Sequence, residues 1–139
     1  LPEVTFKYKE TEGIFLTKVN RPLIDIDAYS KSRGRWFQLP EILADSGADI
    51  SILPRYMGEI LVEDFTTGKK GDIRGIVPHS KLIIFVHKLQ FRIDGKEFNL
   101  PVGIADCDDV PPILGRVDGL DIFRCVFDKG KKTIIQWED

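Results

Sequence analysis

Cysteine, histidine and methionine are scarce in this chain: two Cys, two His and one Met among 139 residues. Cys107 and Cys125 are too few for the disulfide framework that holds many small secreted domains together. Two free thiols in a reducing compartment are the simpler expectation, and they favour a cytoplasmic setting. His79 and His87 are the only imidazoles, and neither has zinc-site spacing to the cysteines. No metal and no cofactor is therefore expected. Long apolar runs are missing too, so no membrane-spanning segment is expected, and no basic-then-apolar signal opens the sequence.

Charge of one sign is also missing. Lys and Arg number 20 and Asp and Glu 22, a formal net charge of -2. The cations are scattered, whereas a nucleic-acid partner calls for a basic stripe. Gly68-Lys69-Lys70-Gly71 lacks the Gly-Lys-Ser/Thr ending of a phosphate loop. Ser46 lacks the Gly-x-Ser-x-Gly setting of a nucleophile elbow. Asp106, Asp108 and Asp109 do not follow a calcium-loop pattern and read as a solvated turn.

What the chain has is period-two alternation, the mark of half-buried strands. Strands are expected over 4–9, 14–19, 23–29 and 36–44, then over the long stretches 82–93 and 96–104. Asp94-Gly95 between the last two is a two-residue hairpin signal. A closing hairpin spans 125–128 and 133–137 around Gly130. Residues 54–61 suit one or two helical turns because proline favours a helix start, although Gly58 weakens the pattern. Residues 66–71 read as a loop, Lys69-Lys70 and Lys129 to Lys132 as solvated hairpin tips, and 116–123 as a short helix. No repeat or linker breaks the chain, and its length fits one domain over 1–139. The expected fold class is all-β: a closed or nearly closed barrel with one or two short helices.

Within that pattern, Leu43-Ala44-Asp45-Ser46-Gly47-Ala48-Asp49-Ile50-Ser51-Ile52-Leu53 puts one carboxylate at a tight turn between two apolar strands. As an isolated tripeptide Asp-Ser-Gly is a common turn. Here Asp49 follows it, and near the C-terminus comes a second apolar pair ending in glycine, Ile113-Leu114-Gly115, with Arg116 behind it. The two features, in this order, resemble the half-site of the retropepsin-like (retroviral-type) aspartic proteases. The resemblance covers about Arg21 to Trp137; residues 1–20 match less clearly.

The resemblance implies an aspartic endopeptidase in its single-domain homodimeric form. Such an enzyme needs two carboxylates sharing one proton, since like charges about 3 Å apart cannot both ionise readily. The ionised one takes a proton from the attacking water, and the protonated one supplies the acid function. The chain carries one Asp-Ser/Thr-Gly, so each of two identical chains would supply Asp45 across a two-fold axis. By the same resemblance Ser46 reaches the partner's active-site loop, Gly47 allows close approach and Ala48 leaves room for substrate. Asp49 and Arg116 would form an ion pair bracing the floor, a grip suited to a planar guanidinium.

The resemblance implies a flap over the substrate at 72–80, with Gly75, Ile76 and Val77 in it; Pro78 there removes a backbone donor. Pocket walls would come from Leu43, Ala48, Ile76, Val77, Ile113 and Pro111, which favours apolar side chains of a peptide or protein substrate. The alternative is a non-catalytic dimeric β-barrel that binds peptides or a partner protein through the same groove.

Overall fold

The computed structural model of the protein describes residues 1–13, 15, 17–74 and 80–138. Six strands close into a barrel: β4 (Leu23–Ser30), β5 (Arg35–Ala44), β10 (Ile113–Leu114), β6 (Ser51–Leu53), β9 (Lys96–Ala105) and β8 (Lys81–Ile93). β8 returns to β4, with Asp27 opposite Arg92 and Ala28 opposite Phe91, which seals the ring. β7 (Lys69–Arg74) adds to the outer edge of β8. A separate three-stranded sheet runs in the order β1 (Glu3–Lys7), β12 (Lys132–Gln136), β11 (Arg124–Asp128). β2 (Lys9–Glu12) and β3 (Lys18–Arg21) form a hairpin of their own.

The alternation explains the barrel. Along β4, Ile24, Ile26 and Ala28 are buried while Asp25, Asp27 and Tyr29 face outward, as a period of two requires. The same phase in β8 and β9 buries Leu89, Phe91, Ile93, Leu100, Val102 and Ile104. They pack with Ile42 and Leu114 into one cluster, where truncating a single large side chain costs about 2–5 kcal/mol. Asp94 and Gly95 take φ of 44° and 88°, the left-handed pair that a two-residue hairpin needs.

The one α-helix among the described residues, α1 (Arg55–Leu61), buries Met57, Gly58 and Leu61. Pro54 stands just before it as the cap residue. Gly58 fits because a Cβ there would lie 2.3 Å from Ile104 Cγ2. The helix therefore rests directly on β9 through a residue that weakens it locally.

Several expectations need correction. The strand over 4–9 breaks at Tyr8 into β1 and β2, whose partners differ: β12 for one and β3 for the other. Of the strand expected over 14–19, Lys18 and Val19 fall in β3, Phe15 and Thr17 are not in a strand, and Ile14 and Leu16 lie outside the described residues. Residues 66–71 are no loop. A 3-10 turn covers Phe65–Thr67, and Lys69 and Lys70 already pair with Val86 and Phe85 of β8. Pairing with a long neighbour outweighs their poor strand propensity. Residues 116–123 form a turn followed by the 3-10 stretch Leu120–Ile122. Gly119, at φ -109° and ψ -105°, interrupts any α-helix there.

Candidate active site

The site is built where β5 ends. β10 inserts between β5 and β6, with Ile113 parallel to Leu43 and antiparallel to Ile52. Its hydrogen bonds then continue past the strand ends. Leu43 N–H donates to Pro112 O (3.0 Å), and Asp45 N–H to Leu114 O (3.0 Å). On the far side of the turn Arg116 N–H donates to Ala48 O (2.9 Å) and Val117 N–H to Asp49 O (3.0 Å). The loop from Asp45 to Asp49 is thus latched at both ends to the segment 112–117, which is remote in sequence.

Inside the turn, Gly47 N–H donates to Asp45 Oδ1 (2.9 Å) and Ala48 N–H to Asp45 O (3.2 Å). The carboxylate is therefore aimed by its own loop. A Cβ on Gly47 would stand 3.2 Å from Asp45 Oδ1, so a side chain there would press on the carboxylate. Gly115 packs beneath the loop. Its missing Cβ would meet Ile50 O at 2.6 Å and Ala48 O at 2.9 Å. Its buried N–H donates to Ser51 Oγ at 2.8 Å.

Asp45 is half-buried, while Ser46, Gly47 and Asp49 are exposed. The carboxylate borders an open groove lined by Tyr8, Arg21, Pro22, Leu43, Ser46 and Phe127. No second carboxylate lines this groove among the described residues. Arg21 is steadied there by a hydrogen bond from its Nε to Thr11 Oγ1 (2.9 Å).

Arg116 lies beside two carboxylates: Nη1 is 3.7 Å from Asp49 Oδ1 and Nε is 3.6 Å from Asp121 Oδ1. The Asp49 side chain is 85% exposed, so this contact contributes at most about 1 kcal/mol in one chain. Leu43 borders the Asp45 groove, whereas Ile113 faces the small gap inside the barrel with Ile26, Leu39 and Ile42. Pro111 is exposed. The flap residues Gly75, Ile76 and Val77 lie outside the described residues. On either side of them Arg74 pairs with Lys81 across β7 and β8.

Sequence reasoning missed Ser51, Tyr8, Arg21 and Phe127. Nothing local marks Ser51, because its partner Gly115 is 64 positions away. Tyr8 and Phe127 read only as members of alternating strands, and Arg21 as the residue before Pro22.

One carboxylate oriented by one N–H can accept a proton and, once protonated, donate it.

No protein-family model matches the chain, and no curated protein matches it. Solved structures do. A retropepsin-like aspartic protease from Rickettsia conorii is 20% identical with a TM-score of 0.62, over 98% of this chain and 91% of that one. EIAV protease complexed with the inhibitor HBY-793 is 22% identical with a TM-score of 0.49, over 70% of this chain and 83% of that one. The Rickettsia likeness, across nearly the whole of both chains, shows that the fold is retropepsin-like.

Proposed function

We propose that the protein is an aspartic endopeptidase that acts as a homodimer, with Asp45 of each copy forming the catalytic dyad. The observation that carries this reading is the Asp45 loop. A lone carboxylate, fixed by Gly47 N–H and latched to β10, faces an open groove on a retropepsin-like barrel. A second copy related by a two-fold axis supplies the missing acid.

In the dyad one carboxyl holds the proton and its neighbour is ionised. The ionised oxygen takes a proton from a water as that water attacks the scissile carbonyl carbon. The protonated carboxyl donates to the carbonyl oxygen as the tetrahedral adduct forms. The carboxyl that took the water's proton then gives it to the leaving nitrogen as the C–N bond breaks. The adduct's hydroxyl returns its proton to the other carboxylate as the product carbonyl re-forms, so the dyad ends with one shared proton, as it began. Ser46, exposed beside Asp45, would donate its hydroxyl to the partner loop. Asp49 and Arg116 brace the loop, and by the resemblance Gly75, Ile76 and Val77, which lie outside the described residues, would serve as the flap. Leu43 borders the groove and suits an apolar substrate side chain.

The test is cleavage of a diverse peptide library from about pH 3.5 to 7.5, a window spanning dyad titrations. The chain and its Asp45→Asn variant are compared by mass spectrometry. Cleavage by the unmodified chain alone, with a bell-shaped pH profile and a rate per chain that falls on dilution, is the expected result. Silence from both chains, in a protein shown by sedimentation to be a folded dimer, would leave the peptide-binding barrel as the better reading.

A further inference from the structure

The tip of the β4–β5 hairpin is a cationic surface outside the Asp45 groove. Lys31, Arg33 and Arg35 fall within five consecutive residues and are all exposed. Lys88 of β8 adjoins them, since Lys31 Nζ donates to Lys88 O (3.4 Å). Among the described residues, none of these four cations has a carboxylate within 4.0 Å. The nearby Arg92, by contrast, is held by Asp27 at 3.0 Å.

The tip is also rigidly mounted. Gly34 N–H donates to Ser30 O (2.8 Å), and Arg33 N–H to Ser30 Oγ (3.1 Å). Ser30 Oγ in turn donates to Ile60 O (2.6 Å), and Lys31 N–H donates to Leu61 O (3.0 Å). The turn is therefore clamped onto the end of α1. Arg33 and Arg35 rest on the same ring, with their guanidinium carbons 5.8 and 4.3 Å from the centre of Phe37. Contact with one ring holds both guanidinium groups side by side, and a guanidinium can grip a carboxylate through two N–H groups at once. Because the forks are already ordered, binding loses less side-chain freedom than it would with loose lysines.

We propose that this tip docks an acidic polypeptide segment, carried by a substrate protein or another partner, at a site separate from the Asp45 groove. Carboxylates spaced along a flexible chain match a short row of forks. Nucleic acid fits less well. The phenyl of Phe37 already carries Arg35 and the indole of Trp36 carries Arg92 at 4.1 Å, so a stacking base would have to compete with these cations. The patch is also short, on a chain of net charge -2.

The test uses a fluorescein-labelled Glu/Ser peptide and anisotropy at low salt, with the full chain. Saturable binding is expected, falling as salt is added. Reversing the tip (Lys31→Glu, Arg33→Glu, Arg35→Glu) should weaken it at least about tenfold. Reversing the other basic turn (Lys129→Glu, Lys131→Glu, Lys132→Glu) should change it by less than about twofold. Circular dichroism checks folding, and the neutral pair Arg33→Gln, Arg35→Gln replaces the tip reversal if that variant misfolds. Absence of saturable binding overturns the proposal, as does equal weakening by both reversals. So does a labelled oligothymidylate that binds as tightly as the peptide. The readout needs no hydrolysis, so it stands or falls separately from the Asp45 chemistry.

Discussion

Gly115 and Gly95 do opposite jobs. Gly95 sits at φ +88° with nothing within 4 Å of where its Cβ would be. It is needed for its backbone angle and has all the space it wants. Gly115 has no such angle, but its missing Cβ would fall 2.6 Å from Ile50 O and 2.9 Å from Ala48 O. It is needed because the Asp45 loop lies directly on top of it. The β8–β9 turn is thus set by two adjacent residues, while the Asp45 turn is set by a segment far along the chain. A locally set turn can be damaged without harm elsewhere. A turn set from a distance ties the carboxylate to the integrity of the barrel.

The sharpest way to break this contrast is Gly115→Ala. Overpacking against backbone that cannot move aside should cost about 3 kcal/mol or more. Because the clash is with Ala48 and Ile50, the loop carrying Asp45 must shift too. Urea unfolding should show the loss of stability. Peptide cleavage by the folded fraction should fall by more than tenfold, the effect of a misplaced catalytic group of about 1 Å. A stable Gly115→Ala protein with full activity would mean that the close packing does not hold the site.

Ser51→Ala probes the same latch more gently. It leaves the buried Gly115 N–H without the acceptor now 2.8 Å away, a loss of about 1–3 kcal/mol. Threonine at 51 keeps the hydroxyl and should recover part of that. Gly95→Ala comes next. It forces an L side chain into the left-handed region at about 1–2 kcal/mol, and it should lower the urea midpoint with no change in cleavage per folded molecule. If Gly95→Ala changed cleavage as much as Gly115→Ala, the two turns would not be independent.

The same division explains what could be read in advance. Asp94-Gly95, the buried phase of β4, β8 and β9, and the turn at Asp45 are local signals, and each was legible. So was the recurrence of Ile113-Leu114-Gly115, though its meaning came from resemblance and not from any local rule. What could not be read depends on distant contacts. Ser51 looks like any strand serine until Gly115 is placed behind it. Gly58 argues against a helix until Ile104 is seen to need the space. Lys69 and Lys70 look like a loop until β8 offers thirteen residues of strand to pair with. The expected helix over 116–123 failed because the segment is drawn back onto the site. Leu120 N–H donates to Gly115 O and Asp121 N–H to Arg116 O, which tightens the turn under the loop.

The smallest expected effect comes from a third turn, held by a charge. Asp64 Oδ1 accepts from Thr66 N–H (3.0 Å) and from Thr66 Oγ1 (2.6 Å) at the start of the 3-10 turn. These two bonds favour the ionised carboxyl and hold its pKa below the usual value, with a smaller contribution from His87. A carboxyl that titrates lower in the folded chain than in the unfolded one adds stability only while it is ionised. That contribution is complete above the unfolded value of about 3.9, and it disappears as the pH falls through the lower folded value. Asp64→Asn keeps the shape and an acceptor but removes the charge. Its urea midpoint should therefore sit slightly below that of the unmodified chain at neutral pH, and the gap should close in acid. Asp64 is fully exposed, so added salt should shrink the gap at neutral pH as well. A gap that stayed constant with pH would assign the turn's stability to neutral hydrogen bonding, the same kind of local control that Asp94 and Gly95 exert.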